Sequence, residues 1–160
     1  MEIEVIKKIL IAYDFSPCAE RAMAMGTTIA ARFDAEVIVA NVIDQRNIAA
    51  IEQAVNRAIL AKIPETPGDM VREYKETRLE KLQSILKPYQ KGALRVKPKI
   101  CVGEPVREIL ALAEENAVDL IVMGARGHSR MARLLTGSKA ESLFRISSIP
   151  ILSVRREEDF

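Results

Sequence analysis

Glycines near the C-terminal end of the chain form the pattern with the clearest chemical meaning. Gly124 and Gly127 enclose two residues, and nine residues separate Gly127 from the pair Gly137-Ser138. Glycine permits sharp turns, and its missing Cβ lets a ligand approach the backbone amides closely. Ser138 is expected to begin a helix, whose first amides and positive dipole end attract anions. Two such groups of amides favour a polyphosphate over a single sulfate ion.

These glycines also have a plain structural interpretation, because a Gly-x2-Gly spacing is common in connections between a strand and a helix. The full spacing, Gly-x2-Gly-x9-Gly-Ser, is much more specific. It differs from a Walker A loop, which requires Gly-Lys-Ser/Thr, and from the Gly-x-Gly-x-x-Gly dinucleotide fingerprint. We therefore favour binding of nucleotide phosphates over a role as simple turn glycines.

Asp14 is a second candidate, because it lies where a predicted strand ends. Residues 7–14 contain a continuous apolar run, and the following Ser16 and Pro17 suit the N-cap and first position of a helix. A carboxylate at this place either caps nearby turn amides or accepts a hydrogen bond from a nucleotide. The two interpretations are evenly balanced for Asp14 alone, and the glycine pattern favours the second.

Val42 lies near the carboxyl end of a second apolar strand, predicted over residues 35–44. It can contact an adenine ring, mainly through its backbone. It can equally be an ordinary core valine, and the residues alone leave both interpretations open.

The predicted strands alternate with helices along the chain, which is typical of a doubly wound, Rossmann-like α/β fold with helices on both faces of a five-stranded parallel sheet. Polar and apolar residues alternate over 94–102, and Pro98 interrupts this stretch, so we place it at a sheet edge. With the last strand, residues 149–154, at the other edge, the predicted order is 3-2-1-4-5. Asp14 and Gly124 then lie on opposite walls of one crevice.

We predict one domain over residues 1–160, with a long helical insertion at about 45–90. Apolar residues recur there at helical spacing on both sides of the helix-breaking stretch 64–68. The segment is too long for a minimal crossover, so part of it is expected to be an insertion or a mobile lid. No chemistry is indicated within it.

Composition narrows the classes of function. The chain is 49% hydrophobic and 29% charged, with a net charge of +2 and no run of like charges, which argues against a nucleic-acid surface. No apolar stretch reaches the length of a membrane span, and the acidic start does not resemble a secretory signal. Cys18 and Cys101 are far apart and have no metal-ligand spacing. Two unpaired thiols suggest a reducing cytoplasm.

The sequence resembles the universal stress protein family over essentially the whole domain. The resemblance rests on residues 9–16, 41–44, 103–105 and 119–124, on the glycine pattern, and on residues 150–154. One departure is Ala12, where many members have proline. The resemblance implies an adenine nucleotide alpha hydrolase-like fold, ATP binding, and a homodimer formed through the last strand, residues 149–154.

The resemblance also implies roles for individual residues. The implied nucleoside contacts are Asp14 and Val42, with Met123 and Gly124 at the edge of the nucleoside; the implied ribose and phosphate contacts are Gly127, Gly137, Ser138 and the amide of Lys139.

The function expected from this pattern is an ATP-binding regulatory or sensor module in stress response, read by an unknown protein partner. The alternative is a weak ATPase or nucleotidyl-transfer enzyme that uses the same site. Hydrolysis needs a positioned water and usually a base. The only histidine, His128, is that base, a partner of a phosphate, or an exposed loop residue. No second carboxylate is clearly paired with Asp14 to hold Mg²⁺. We therefore expect ATP binding without efficient turnover, no protein metal site, and Mg²⁺ only with the nucleotide.

Overall fold

The structure, a computed structural model, describes residues 5–46, 48–50, 53, 67–90, 92–125 and 138–155. Strands and helices alternate through these ranges. Residues 45, 46, 48–50 and 53 are also helical. The elements are β1 (Lys8–Ala12), α1 (Pro17–Phe33), β2 (Glu36–Asp44), α2 (Pro67–Leu86), β3 (Val96–Gly103), α3 (Pro105–Glu115), β4 (Leu120–Gly124), α4 (Ser138–Ile146) and β5 (Ile151–Val154).

The five strands form one parallel sheet in the order β3-β2-β1-β4-β5, which confirms the predicted topology. β1 is central, and its last residue, Ala12, is in register with Ala40 of β2 and Met123 of β4. The strand order reverses between β1 and β4. In folds of this class, ligands bind at that position, beyond the carboxyl ends of the strands.

Helices cover both faces of the sheet and produce two separate cores. On the first face, α1 and α2 pack against strand residues such as Ile11 and Val122, and on the second face α3 and α4 pack against Leu10 and Ile121. Successive side chains of a strand point to opposite faces, so strands covered on both sides must be apolar throughout. This explains the continuous hydrophobic runs of β1, β2 and β4.

Local capping chemistry fixes the starts of two helices, and the start predicted for the first of them is confirmed. The Ser16 hydroxyl accepts a hydrogen bond from the amide of Ala19 at 3.2 Å, and Pro17 occupies the first helical position of α1. Glu104 caps α3 in the same way, and Pro105 follows it. Proline is suited to this position because the first helical amides have no partner within the helix.

The last strand begins at Ile151, two residues later than predicted. The Ser147 hydroxyl accepts the amide hydrogen of Ile149 at 3.0 Å and donates to the Ile149 carbonyl at 2.8 Å. This turn occupies the backbone of Ile149, and Pro150 has no amide hydrogen. The apolar pattern of the sequence could not reveal that these two residues belong to a turn.

Part of the predicted helical segment 45–90 is a core element. α2 lies within it, and Leu82 and Leu86 of α2 are fully buried on the first face of the sheet. The stretch 54–66, which includes the first part of the predicted helix break at 64–68, lies outside the described residues. The last two residues of that break, Pro67 and Gly68, begin α2. Among the helices that the structure describes, none is long and apolar enough to cross a membrane.

Candidate functional site

A gap opens above the carboxyl end of β1. The amide of Tyr13 donates to the carbonyl of Ala40 at 2.8 Å, after which the chain leaves the sheet at Asp14. On the two sides of β1, β2 continues to Asp44 and β4 continues to Gly124. The walls of the gap are therefore the ends of two strands that β1 no longer separates.

Backbone groups of Val42 and Gly124 face this gap. Ala40 pairs with β1, so Val42, two residues later, presents its N–H and C=O to the same side. On the other side of β4, the Ile121 amide donates to the Pro150 carbonyl at 2.9 Å, and the Ala125 amide donates to the Val154 carbonyl at 2.8 Å. Gly124 alternates with them and presents its backbone groups to the β1 side. The structure thus brings two predicted site residues to opposite walls of the gap.

Asp14 lies at the opening of the gap and is exposed. Its Oδ1 accepts a hydrogen bond from the amide of Ser16 at 3.0 Å, so the carboxylate does contact a turn amide. Between them, Phe15 has φ 63°, in the left-handed region that is uncommon for residues other than glycine. The hydrogen bond fixes the orientation of the Asp14 carboxylate where β1 ends.

Met123 and Gly124 are the last two residues of β4, beside the gap. The Met123 side chain is buried on the second face of the sheet, where Ala12 and Val42 also pack. A Cβ on Gly124 would lie 2.7 Å from Cβ and 2.9 Å from the carbonyl carbon of Cys18. Because one of these neighbours is backbone, Gly124 is required for the close packing of β4 against α1, whatever it binds.

The first turn of α4 is connected to the end of β2 by charge. Lys139 Nζ lies 3.6 Å from Asp44 Oδ2, and Arg46 Nη2 lies 2.6 Å from the same oxygen. The hydrogen bond from Arg46, with a smaller contribution from Lys139, lowers the pKa of Asp44 well below its usual range. The amino end of α4, which begins at Ser138, therefore lies at the carboxyl edge of the sheet, beside the end of β2.

The remaining predicted site residues, Gly127 and Gly137, lie outside the described residues, and so does His128. Of the predicted nucleoside contacts, the structure brings Asp14, Val42 and Gly124 to the edges of one gap. Lys139 reaches the same edge of the sheet through its side chain.

Asn41, which the sequence analysis did not select, is buried beside the gap. It is 2% exposed, its amide donates to the Tyr13 carbonyl at 2.8 Å, and its Oδ1 has no partner among the described residues. Buried polar atoms are usually paired, so this one is an exception. Asn41 holds the backbone immediately before Asp14. A polar residue inside an apolar strand was the sequence signal for it.

Metal binding by protein groups alone is not indicated. In the described ranges, no three His, Cys, Asp or Glu residues are grouped closely enough to hold an ion. Mg²⁺ in nucleotide sites is usually held by phosphate oxygens and waters with one or two carboxylates. Asp14 and Asp44 are carboxylates near the gap, so the donor set fits an ion that arrives with a nucleotide.

The fold and the gap define a class of protein: a doubly wound α/β domain with a ligand crevice where the strand order reverses. Within that class, the profile of the universal stress protein family matches residues 6–155. The chain belongs to this family.

Individual relatives agree with this assignment. Universal stress protein MJ0577 of Methanocaldococcus jannaschii is 33% identical over 155 residues, which cover 94% of this chain and 96% of that protein. The solved structure of MJ0577 matches with a TM-score of 0.72 and covers 96% of this chain and 98% of its own. A universal stress protein solved in complex with cAMP is 26% identical, covers 95% of this chain and 98% of its own, and has a TM-score of 0.62.

Proposed function

We propose that this protein binds ATP in the gap above β1 and acts as a nucleotide-dependent regulatory or sensor module in stress response. The observation that carries the proposal is the convergence of Asp14 with the backbones of Val42 and Gly124 around the end of β1. It is supported by the solved relative that holds cAMP, which is also an adenine nucleotide.

The nucleoside is assigned to the described part of the site. Backbone N–H and C=O groups of Val42 can recognise the edge of adenine, because an amide edge distinguishes amino from carbonyl groups on a base. Asp14 supplies a carboxylate acceptor at the opening, and we assign Met123 and Gly124, at the end of β4, to the edge of the nucleoside. We expect adenine to be preferred over guanine for this reason.

The phosphates are assigned to the glycine pattern and the start of α4. Gly127 and Gly137 are proposed to present amides, with Ser138 and the amide of Lys139 at the helix N-terminus. The position of Lys139 beside the carboxyl edge supports this assignment. Mg²⁺, where present, would be bound with the phosphates.

We propose further that residues 1–160 form one cytoplasmic domain that pairs with a second copy through residues 149–154. β5 is an edge strand of the sheet, and its first three residues are only partly buried. A protein partner that reads the ATP-bound state is expected, while no nucleic-acid or membrane partner is.

Calorimetric titration of ATP into Asp14→Asn tests the nucleoside assignment. We expect binding weakened roughly tenfold, since one charge-assisted hydrogen bond is lost. Asp34→Asn is the matched control: Asp34 is the left-handed C-cap at the far end of α1, a conformation that asparagine tolerates. Equal affinities for wild type and Asp14→Asn would remove Asp14 from the site.

Gly127→Val tests the phosphate assignment, because a branched side chain would occupy the space that the phosphates need. We expect ATP binding to be lost while circular dichroism remains that of the wild type. If folded Gly127→Val binds ATP with the wild-type affinity, the phosphates bind elsewhere. Steady-state release of phosphate and of pyrophosphate by wild type and His128→Ala separates a binding module from an enzyme, because a weak ATPase releases phosphate and a nucleotidyl transferase releases pyrophosphate. Sustained release that depends on His128 would favour the enzyme.

A further inference from the structure

Phe15 adopts a conformation that needs external support. Its φ of 63° brings Cβ close to the following carbonyl group, which disfavours this region for a bulky side chain. Such a residue persists only where its surroundings hold it. Because Phe15 stands between Asp14 and Ser16, whatever holds its ring also controls the turn that orients the Asp14 carboxylate.

Cationic groups of α2 lie over the Phe15 ring. Lys81 Nζ is 4.5 Å from the ring centroid, and Arg78 Cζ is 5.2 Å from it. Tyr13 meets the same ring edge to face, with centroids 5.3 Å apart and planes at 78°. These distances lie within the range in which a cation or an aromatic edge is attracted to a ring face.

Arg78 is itself fixed in place. Its Cζ lies 5.0 Å from the Tyr74 ring centroid, and its Nη2 donates to the Tyr74 hydroxyl at 2.5 Å. Leu82 and Leu86 are fully buried under the same helix. α2 is therefore a firmly packed support that carries both cations to the β1–α1 turn, although the sequence indicated no chemistry in this segment.

From this geometry we propose that Arg78 and Lys81 are positioning residues for the nucleotide site. They hold the Phe15 ring, Phe15 sets the turn, and the turn orients the Asp14 carboxylate toward the nucleoside. The inference rests on the proposed ATP binding and deepens it, since it connects the affinity for the nucleoside to a helix outside the gap.

The test uses the full chain with Arg78→Ala, Lys81→Ala and the double variant. Lys75→Ala is the matched control, because Lys75 is an exposed cation of the same helix and lines a groove beside Lys99 and Ile100 of β3. Arg78→Lys combined with Lys81→Arg keeps both cations and should restore the wild-type behaviour. Thermal melting identifies any variant that fails to fold.

Two measurements separate positioning from general stability. Hydrogen exchange of the Ser16 amide, which donates to Asp14, reports the turn without any nucleotide. Calorimetry then compares ATP with inorganic tripolyphosphate, which lacks the nucleoside. In the double variant we expect faster Ser16 exchange and ATP binding weakened by roughly three- to thirtyfold relative to Lys75→Ala. Tripolyphosphate binding should match that of the control.

The outcomes distinguish this inference from the proposed function. Wild type that binds ATP, with a double variant that keeps both wild-type affinity and wild-type Ser16 exchange, overturns the positioning role and leaves the function intact. Equal losses of ATP and tripolyphosphate affinity also overturn it. Wild type that does not bind ATP overturns the proposed function. Hydrogen exchange at Ser16 then tests by itself whether Arg78 and Lys81 hold the Phe15 turn: faster exchange in the double variant supports this role, and unchanged exchange overturns it.

Discussion

Gly124 has two roles, one toward the candidate binding gap and one in the packing of the fold. Its backbone faces the gap, and its missing Cβ lets the end of β4 approach the first turn of α1. A glycine in a binding pattern can therefore be fixed by packing alone, so its presence is weaker evidence for a ligand than the spacing of the whole pattern. The backbone orientation of Gly124 is the stronger argument for its role.

Replacing Gly124 with alanine should destabilise the fold by roughly 1–3 kcal/mol, because the new methyl group would meet Cys18 backbone atoms that cannot move aside. Gly26→Ala is the matched control. Its Cβ would meet side-chain atoms alone, Ile11 Cδ1 and Cγ1 at 2.7 and 2.9 Å and Val122 Cβ at 3.6 Å, and a side chain can adjust more readily than backbone. Alanine is also favoured over glycine in a helix by about 1 kcal/mol. Urea denaturation of both variants measures the difference; an equal or larger loss in Gly26→Ala would contradict the packing argument.

Asp44 shows how one charge can connect two elements. Its folded-state pKa is depressed by Arg46, so the ionised carboxylate stabilises the fold fully above its unfolded pKa of about 3.8. This stabilisation declines below that pH and is lost as the pH falls through the lower folded-state pKa. Arg46 is largely exposed, and solvent screening keeps the effect small.

Asp44→Asn should therefore reduce the loss of thermal stability between neutral pH and pH 3, by a few degrees at most. In the absence of Mg²⁺, it should also bind ATP at least as tightly as wild type at low salt, because it removes a negative charge and releases Lys139. Asp34→Asn is again the control for a lost carboxylate. Weaker ATP binding by Asp44→Asn would instead give this carboxylate a direct role in the site.

At the level of elements, α2 behaves as part of the core. Leu82→Ala should cost about 2–5 kcal/mol in the free energy of unfolding, because Leu82 is fully buried on the first face. Leu79 of the same helix is only partly buried, so Leu79→Ala should cost clearly less. A helix that served only as a detachable lid would show similar small losses for both variants in urea denaturation.

Features with local causes were predictable from the sequence. Ser16 followed by Pro17 and Glu104 followed by Pro105 identify helix starts because capping involves only neighbouring residues. The alternation of polar and apolar residues over 94–102, together with Pro98, identified β3 as an edge strand and led to the strand order. Contacts between distant residues were not predictable in this way. Nothing in the pattern around Phe15 indicates that cations more than sixty positions later would cover its ring.

The candidate site shows the same difference between residues with local sequence signals and residues whose roles depend on distant partners. The sequence identified Asp14 and Gly124 because strand ends and glycines leave local signals, and the strand order then placed them together. Asp44 and Asn41 were missed because their roles depend on partners in α4 and at the end of β1. Only the register of the assembled sheet reveals that the backbone of Val42 faces the gap.

At the scale of the whole molecule, the two edges of the sheet differ. In β3, Pro98 occupies a position whose backbone faces away from β2, so no outward amide is available there, and exposed lysines flank it. β5 has no such protection. Leu152 and Val154 pair with β4, which leaves the backbone groups of Ile151 and Ser153 facing outward. An unprotected edge of this kind favours pairing with another strand, and a two-fold axis satisfies both copies at once.

Ser153→Pro tests the proposed dimer without disturbing the β4–β5 ladder. Proline removes an amide hydrogen that faces outward, so antiparallel pairing between two copies should weaken while the monomer remains folded. We expect light scattering to report a dimer for wild type at micromolar concentration and a monomer for Ser153→Pro, with unchanged circular dichroism. Leu152→Lys, which places a charge near its symmetry mate, should act in the same direction.

Ile100→Pro provides the matched control, because Ile100 holds the equivalent outward position on the β3 edge. It should leave the dimer intact, since that edge is already interrupted by Pro98. If Ile100→Pro is monomeric while Ser153→Pro remains dimeric, the interface lies on β3 instead of β5. A monomeric wild type would exclude a stable homodimer. If both proline variants remain dimeric, the copies associate through a helical face, and pairing of sheet edges is excluded.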